Sequence, residues 1–597
     1  MFKLLKYLKG KSLKLTILSI IFTFLSAAFD ILQPLLLTYV ISIVQVINGT
    51  VTQDVPLFFN IVVNASNAWY YFWLLCSIMG IAAIFSFFLG VLSSYTASKS
   101  SLLWIQNIRS ACYKQILSYS FSELDKFSVT SLITRLTNDA QKIQTTYLLF
   151  ATVLIKTPLL IIGGFILAFI FSWQMGLLII GIISIMAVIV GILGTRATPL
   201  FNASQKSIDE ASSVMRENIL GARVVKSFNL QEDQRRRYNF FNEKLRFFAY
   251  RSQSWIIPII SVVQLFLNLG VVSILTLGGF LVMTQGDPNV ANQIFGIVST
   301  MVMILSSFVS AFISFSMFVR TKTSFKRINE VIETEPKIVS PINYKHFDEN
   351  NYDIEFENVS FSYLENANNK VLKDLNFKIK TGSTFGIIGS TGSGKSSIIN
   401  LIPRLHDVTS GSIKINNVNV KDLSIDELRK NIAVVLQEQI LFSGDIKYNL
   451  RYGKSDATEE EMVEACKQAC AWEFVSQLPS KLNSTVEQRG RNFSGGQKQR
   501  LCLARALIKK PKILILDDTT SALDLITETK IQENIKKNLT KCTKIIISER
   551  VSSVKDADQI IVLEDGFITG IGTNKQLIKT NSFYRNLVNS QLGSMKG

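Results

Sequence analysis

The sequence predicts a multidomain membrane protein in which a six-helix, all-α transmembrane domain is fused to a C-terminal α/β domain. Three observations carry this. Apolar segments of about the 20 residues needed to cross a bilayer recur through the first half of the chain. From Asp353 onward the texture changes to short apolar runs alternating with helical stretches. Within that second half, Gly389-Ser390-Thr391-Gly392-Ser393-Gly394-Lys395-Ser396-Ser397 fits the pattern G-x-x-x-x-G-K-[ST] without a mismatch.

Composition agrees. A chain of 597 residues has room for several domains, and 48% hydrophobic residues with a positive mean hydropathy point to a membrane protein. The net charge of +18 is open to two explanations, nucleic-acid binding or basic cytosolic loops. The six cysteines lack metal-ligand spacing and read as free core thiols, and the two histidines are His346 and His406.

In chain order, residues 1–12 interleave Phe2, Leu4, Leu5 and Leu8 with four lysines, the pattern of an amphipathic helix lying on an anionic membrane surface. The apolar run that follows is too long for a signal-peptide core. Spans are expected at roughly 13–45, 68–96, 147–171, 173–194, 253–284 and 294–320, with a hairpin break at Phe171-Ser172-Trp173-Gln174, inside a transmembrane domain of residues 13–320. Residues 46–67 and 285–293 carry no Lys or Arg, whereas residues 97–146 and 195–252 are rich in them. By the positive-inside rule the N-terminus, both long loops and the C-terminal domain are expected in the cytosol, which accounts for much of the charge without nucleic acid. The two long loops are helical in pattern, with interruptions at Phe121 to Val129 and Asn218 to Val225; solvated helix is the plain reading of them. Residues 321–350 form a linker containing Pro336 and Pro341.

Residues 351–597 hold the candidate chemistry. Strands are expected over Ile354 to Ser362, Leu372 to Ile379, Phe385 to Ile388, Ile413 to Ile415, Ile432 to Leu436, Ile513 to Leu516, Ile545 to Ile547 and Ile560 to Leu563. The glycine loop lies between a strand and a helix, so its N–H groups converge on a phosphate. Lys395 is placed to reach the outer phosphates of a nucleoside triphosphate and Ser396 to hold Mg²⁺. Four apolar residues, Ile513 to Leu516, deliver Asp517 at a strand's carboxyl end, making it the metal carboxylate.

Phe493-Ser494-Gly495-Gly496-Gln497, followed by a helix, resembles the signature of the ATP-binding cassette (ABC) transporters, and six spans, two long inner loops and one cassette resemble a half-exporter of that family. The resemblance implies that Tyr363 stacks on adenine, that Gln437 senses Mg²⁺ and the attacking water, and that Ser521-Ala522-Leu523-Asp524 is the loop facing a partner cassette. It also implies that the two loop interruptions are coupling helices. ATP and Mg²⁺ are the implied ligands. A second half-transporter is the implied partner, because each ATP lies between one chain's phosphate loop and the other chain's signature.

Two departures from the family pattern matter. Asp518 stands where the family usually has glutamate as the base for water; losing one methylene withdraws the carboxylate by ~1.5 Å, and misplacement on that scale costs about 10²-fold in rate. Glu549 stands where the family has a switch histidine, and an ionised carboxylate cannot donate to a phosphate. Val486-Glu487-Gln488 is a third change, where Val-Gly-Glu is usual. These changes, together with the stretch Ser131 to Asp139, resemble the degenerate member of heterodimeric bacterial exporters. The expectation is therefore a phosphate loop that binds ATP and hydrolyses it poorly, with an intact signature that completes a partner's site. Alternatives are an ATP-gated regulatory membrane protein and a homodimeric exporter using Asp518 as base.

For cargo, Phe308, Phe312 and Phe315 form an i, i+4, i+7 stripe, with Gln264 and Asn268 on the fifth span; such a surface suits hydrophobic or amphipathic drugs, lipids or peptides, and ordinary helix packing explains it as well. Asp30 and Lys156 are ionisable at membrane depth, and Asp30 is the candidate for cargo or gating. The abundance of Lys, Asn and Ile suits a bacterial cell membrane.

Overall fold

The computed structural model describes residues 2–48, 55–56, 62–63, 66–285, 288–346, 351–363, 370–519 and 523–592. The chain divides into two compact units, residues 1–115 with 130–333, and residues 116–129 with 334–597.

The first unit is helical. A short α1 (Phe2–Leu5) precedes α2 (Lys11–Ile47) and α3 (Ala68–Ser118); α4 (Phe121–Phe127) belongs to the second unit. Then come α5 (Val129–Thr134), α6 (Ala140–Leu149) and α7 (Lys156–Phe171), joined by π-helical turns at Arg135–Asp139 and Phe150–Leu154. The unit continues with α8 (Trp173–Leu220), α9 (Ala222–Ser227), α10 (Gln231–Gln285) and α11 (Pro288–Glu333). Among the described residues, six helical stretches are long and apolar enough to cross a membrane. α3 has 51 residues, about 76 Å at 1.5 Å per residue, so it overruns a ~30 Å hydrocarbon core and accounts for a polar continuation.

Local chemistry explains the breaks. Between α7 and α8, Ser172 is extended (φ −160, ψ 123) and its hydroxyl donates to Gln174 Oε1 at 2.9 Å, ending one span and starting the next. In front of α4, the Ser120 N–H donates to Glu123 Oε2 at 2.9 Å, a capping box. The first π-turn is tied to α11, with Arg135 donating to the Arg327 carbonyl at 2.9 Å and Ser324 to Asp139 Oδ1 at 2.7 Å.

Lipid offers no hydrophobic force between helices, so close approach and polar contacts hold them together. Met175, Ile179, Met186, Ile274, Ile297 and Met301 are buried at the centre of the bundle. At Gly296 a Cβ would lie 2.0 Å from Thr38 Oγ1, so only glycine lets α11 approach α2 there. Hydroxyls join α2 to α3: Thr16 to Ser100 at 2.8 Å, Thr23 to Ser93 at 2.6 Å and Ser26 to Ser86 at 3.3 Å. This row ends in an ion pair, Lys156 Nζ to Asp30 Oδ2 at 2.6 Å, with Ser86 donating to Asp30 at 2.5 Å and Lys156 to Ser26 at 3.0 Å.

In the second unit, nine strands are labelled β1 (Ile354–Phe361), β2 (Leu372–Ile379), β3 (Thr384–Gly389), β4 (Ser410–Ile415), β5 (Ile432–Val435), β6 (Ile513–Asp517), β7 (Thr543–Ile547), β8 (Gln559–Glu564) and β9 (Phe567–Gly572). One sheet has the order β9-β8-β3-β7-β6-β5, parallel except for the β8–β9 pair; the other is antiparallel, with β1 between β2 and β4. Phe356, Phe377 and Phe385 stack in one core at centroid distances of 4.3 and 5.5 Å, each burial worth about 1.5–3 kcal/mol. A separate core contains Met462, Cys466 and Leu501. The six cysteines are free, and burial pushes the Cys466 thiol up to about 12.

The ion pair yields a test. Lys156→Met strands the Asp30 carboxylate, and the expected loss is about 2 kcal/mol, below the 3–5 of a fully buried pair, because the two side chains are 29% and 30% exposed. Adding Asp30→Asn should recover most of that loss. Thermal unfolding of the two single variants and the double variant in detergent measures the coupling.

Candidate nucleotide site

Four parallel strands end on one side of the sheet, and each delivers a candidate residue. β3 runs into the glycine loop, β5 is followed by Gln437, β6 ends in Asp517, and β7 leads through Ser548 to Glu549. Register aligns the ends, with Asp517 opposite Ile547 and Gly389 opposite Leu563. This is the edge where open α/β sheets bind ligands. The result is a cleft of about 270 Å³ lined by residues that include Thr391, Lys395, Ser396, Gln437, Asp517 and Glu549.

The loop is a tight turn, its Ser393 N–H donating to the Ser390 carbonyl at 3.2 Å. Gly394 has φ +102, and a Cβ there would meet Leu372 Cδ2 at 2.6 Å, so the last loop position requires glycine on two counts. Ser393 is 2% exposed, and its Oγ has no partner among the described residues, an orphaned polar atom inside the phosphate loop. Lys395 Nζ donates to the carbonyls of Gly389 and Ser390, both at 2.8 Å, and lies 3.2 Å from Glu549 Oε1. The same Glu549 oxygen accepts from Thr391 Oγ1 at 3.0 Å. That hydrogen bond, with the Lys395 contact, holds the Glu549 carboxyl below the usual carboxylate range against the opposing effect of burial.

Asp517 is the opposite case. Burial, then the neighbouring Asp518, push its pKa up to about 6, against the pull of Lys395. The Ser396 hydroxyl, Gln437 amide and Asp517 carboxylate, all lining it, are the hard oxygen donors that suit Mg²⁺. Asp518 has φ +45; its N–H donates to the Ile547 carbonyl at 2.8 Å and its own carbonyl accepts from Gln499 at 3.3 Å.

Tyr363 is half exposed, and its hydroxyl is 3.0 Å from Ser397 Oγ in the helix that follows the loop. His406, which the sequence left without a role, packs its ring against Tyr363 at 5.2 Å and against Phe121 of α4 at 5.9 Å. Burial lowers its pKa, opposed by Asp125 and Glu123.

The signature residues Phe493 to Gln497 do not line the cleft. Ser494 caps the helix Gly495–Leu507, its Oγ accepting from the Gln497 N–H at 3.3 Å and its N–H donating to Gln497 Oε1 at 2.9 Å; Ser494 and Gly495 are exposed while Phe493 is buried. Asp524 caps the helix Leu525–Asn538 by accepting from the Thr527 N–H at 3.0 Å; Ser521 and Ala522 of that loop lie outside the described residues. In the first unit, Gln264, Asn268 and Phe315 are exposed, whereas Phe308 and Phe312 are partly buried against the helix core. Asp30 is engaged by Lys156 and Ser86.

Comparison with known proteins covers both units. The model of the ABC transporter transmembrane region matches residues 16–308, and that of the ABC transporter cassette matches residues 372–521. The chain is 33% identical to the ABC transporter ATP-binding protein YfiB of Bacillus subtilis (strain 168), over 99% of this chain and 98% of that one. It is 31% identical to MG014 of Mycoplasma genitalium, an ABC transporter ATP-binding protein, over 98% of each. A solved bacterial Atm1-family ABC exporter with ATP bound has a similar fold, with a TM-score of 0.78 and 21% identity over 96% of this chain and 98% of that one.

His406 supplies a pH test. Its folded pKa lies below the unfolded value of about 6.5, so its contribution is full above that value and is lost as pH falls through the folded pKa. The melting temperature should drop between pH 7.5 and 5.5, and His406→Phe should flatten the drop. An unchanged slope in the variant would place the acid sensitivity elsewhere.

Proposed function

The chain belongs to the ABC transporter family, and on that premise we propose that it is one half of an ATP-driven exporter, paired with a distinct chain, whose own phosphate-loop site binds ATP but hydrolyses it slowly. The observation that carries the reading is the Glu549 carboxylate bonded to Lys395 and Thr391, where a hydrogen-bond donor to the outermost phosphate is needed. Asp518 supports it as the shorter of the two acids at the position of the base.

In this reading the loop N–H groups and Lys395 bind the phosphates, Tyr363 offers a ring face to the base, and Gln437 orients water at the cleft's edge. Ser396, Gln437 and Asp517 would hold Mg²⁺, which would supply charge neutralisation to the phosphates. Asp518 holds the proton-accepting position too far back to activate water efficiently. The cleft does not contain the signature, and Ser494 and Gly495 are exposed, so a second cassette supplies the missing wall and receives this chain's signature in return.

The basic loops support an orientation with the cassette in the cytosol, and the abundance of Lys, Asn and Ile supports a bacterial cell membrane. Exposed Gln264, Asn268 and Phe315 support a hydrophobic or amphipathic cargo, drug, lipid or peptide, moving outward between the two chains as the cassettes close and reopen.

The test is ATP hydrolysis by this chain alone in lipid, beside ATP binding under the same conditions. Binding with little turnover is expected, and Asp518→Ala should change that turnover little. The double variant Asp518→Glu, Glu549→His should raise it by about 10²-fold, the size of a correctly placed base. Brisk wild-type turnover that Asp518→Ala abolishes would sink the paired reading in favour of a homodimer that uses Asp518 as base.

A further inference from the structure

The Lys395 ammonium has three N–H bonds, and three acceptors lie within 3.2 Å: the Gly389 and Ser390 carbonyls at 2.8 Å each and Glu549 Oε1 at 3.2 Å. Two of these partners belong to the loop that lysine is rooted in. Glu549 comes from the end of β7, so its carboxylate bridges two walls of the cleft through one oxygen shared by Lys395 and Thr391.

Its backbone is held in place. The Glu549 carbonyl accepts from Gln591 Nε2 at 2.9 Å, the Val551 N–H donates to Gln591 Oε1 at 2.8 Å, and the Arg550 N–H donates to Ser548 Oγ at 3.0 Å. A residue from the C-terminal helix Ser582–Leu592 thus clamps the segment from both sides, and Glu549 leaves Lys395 only by turning its side chain, which is 54% exposed, toward solvent. Even turned away, it remains beside the cleft. Lys395 is the one cation among the described lining residues, against the carboxyl groups of Asp517, Asp518 and Glu549.

We propose that Glu549 is the resident counter-anion of Lys395 and a specificity-determining residue, biasing this cleft toward nucleoside diphosphate over triphosphate. This rests on the reading of the cleft as a nucleotide site. A diphosphate is held mainly by the loop N–H groups, with Lys395 shared between it and Glu549. The third phosphate depends on the lysine and brings one further negative charge next to a carboxylate whose backbone cannot retreat, so the repulsion falls on the triphosphate.

The experiment is equilibrium binding of ATP and of ADP, each with excess Mg²⁺, to the full chain in lipid nanodiscs, for wild type, Glu549→Gln, Glu549→Ser and a Lys395→Ala control. Both Glu549 variants should tighten ATP by about tenfold and ADP by less than about threefold, raising the ratio of ATP to ADP affinity. Wild-type binding of both nucleotides with a ratio that neither variant moves would overturn the role of Glu549 and leave the nucleotide site standing. Wild-type binding of neither nucleotide, indistinguishable from Lys395→Ala, would overturn the site and the proposal together.

Discussion

One ammonium group governs the nucleotide-binding half of this protein. Lys395 shares the cleft with three carboxyl groups, and the sheet order brings them together, because β3, β7, β6 and β5 end side by side and each ending carries polar groups into the same space. A parallel sheet with apolar strands has no other exit for such groups. The raised pKa of Asp517 and the lowered one of Glu549 have different causes: burial and then Asp518 push the first up against the pull of Lys395, whereas the Thr391 hydroxyl, with Lys395, holds the more exposed acid down.

The membrane half solves a related problem by different means. Where α2 meets α3, small hydroxyl side chains let the backbones approach and satisfy one another, and the two ionisable groups at depth neutralise each other. The polar row therefore serves packing first. A charge at residue 30 that faced lipid alone would carry a large desolvation cost, and pairing with Lys156 offsets part of it.

Much of this was legible in the sequence because the signals were local. The glycine loop lies in nine consecutive residues, Asp517 ends an unbroken apolar run, and the turn at Ser172 shows as a polar pair between two spans. The eight expected strands are present with ends shifted by up to three residues, and short helices occupy the two interruptions at Phe121–Phe127 and Ala222–Ser227. What escaped was non-local or weakly patterned. β9, Phe-Ile-Thr-Gly-Ile-Gly, alternates polar and apolar residues poorly and is fixed by pairing with β8. The π-turns have no composition of their own, and the first of them lies where Arg135 and Asp139 reach α11. Lys395 and Glu549 are 154 positions apart and Asp30 and Lys156 are 126 apart, so only the assembled topology brings either pair together.

The grouping of α4 with the C-terminal unit has a consequence for biogenesis. Residues 116–129 leave the ribosome more than 200 residues before His406, against which Phe121 packs, so this piece of the second unit waits, already capped by Ser120 and Glu123, while four more membrane helices are made. A C-terminal fragment beginning at the linker would lack Phe121 and leave the face of His406 open to water. The second unit is therefore discontinuous in the gene, and a recombinant cassette cut at a single boundary is a different folding problem from the one this protein solves.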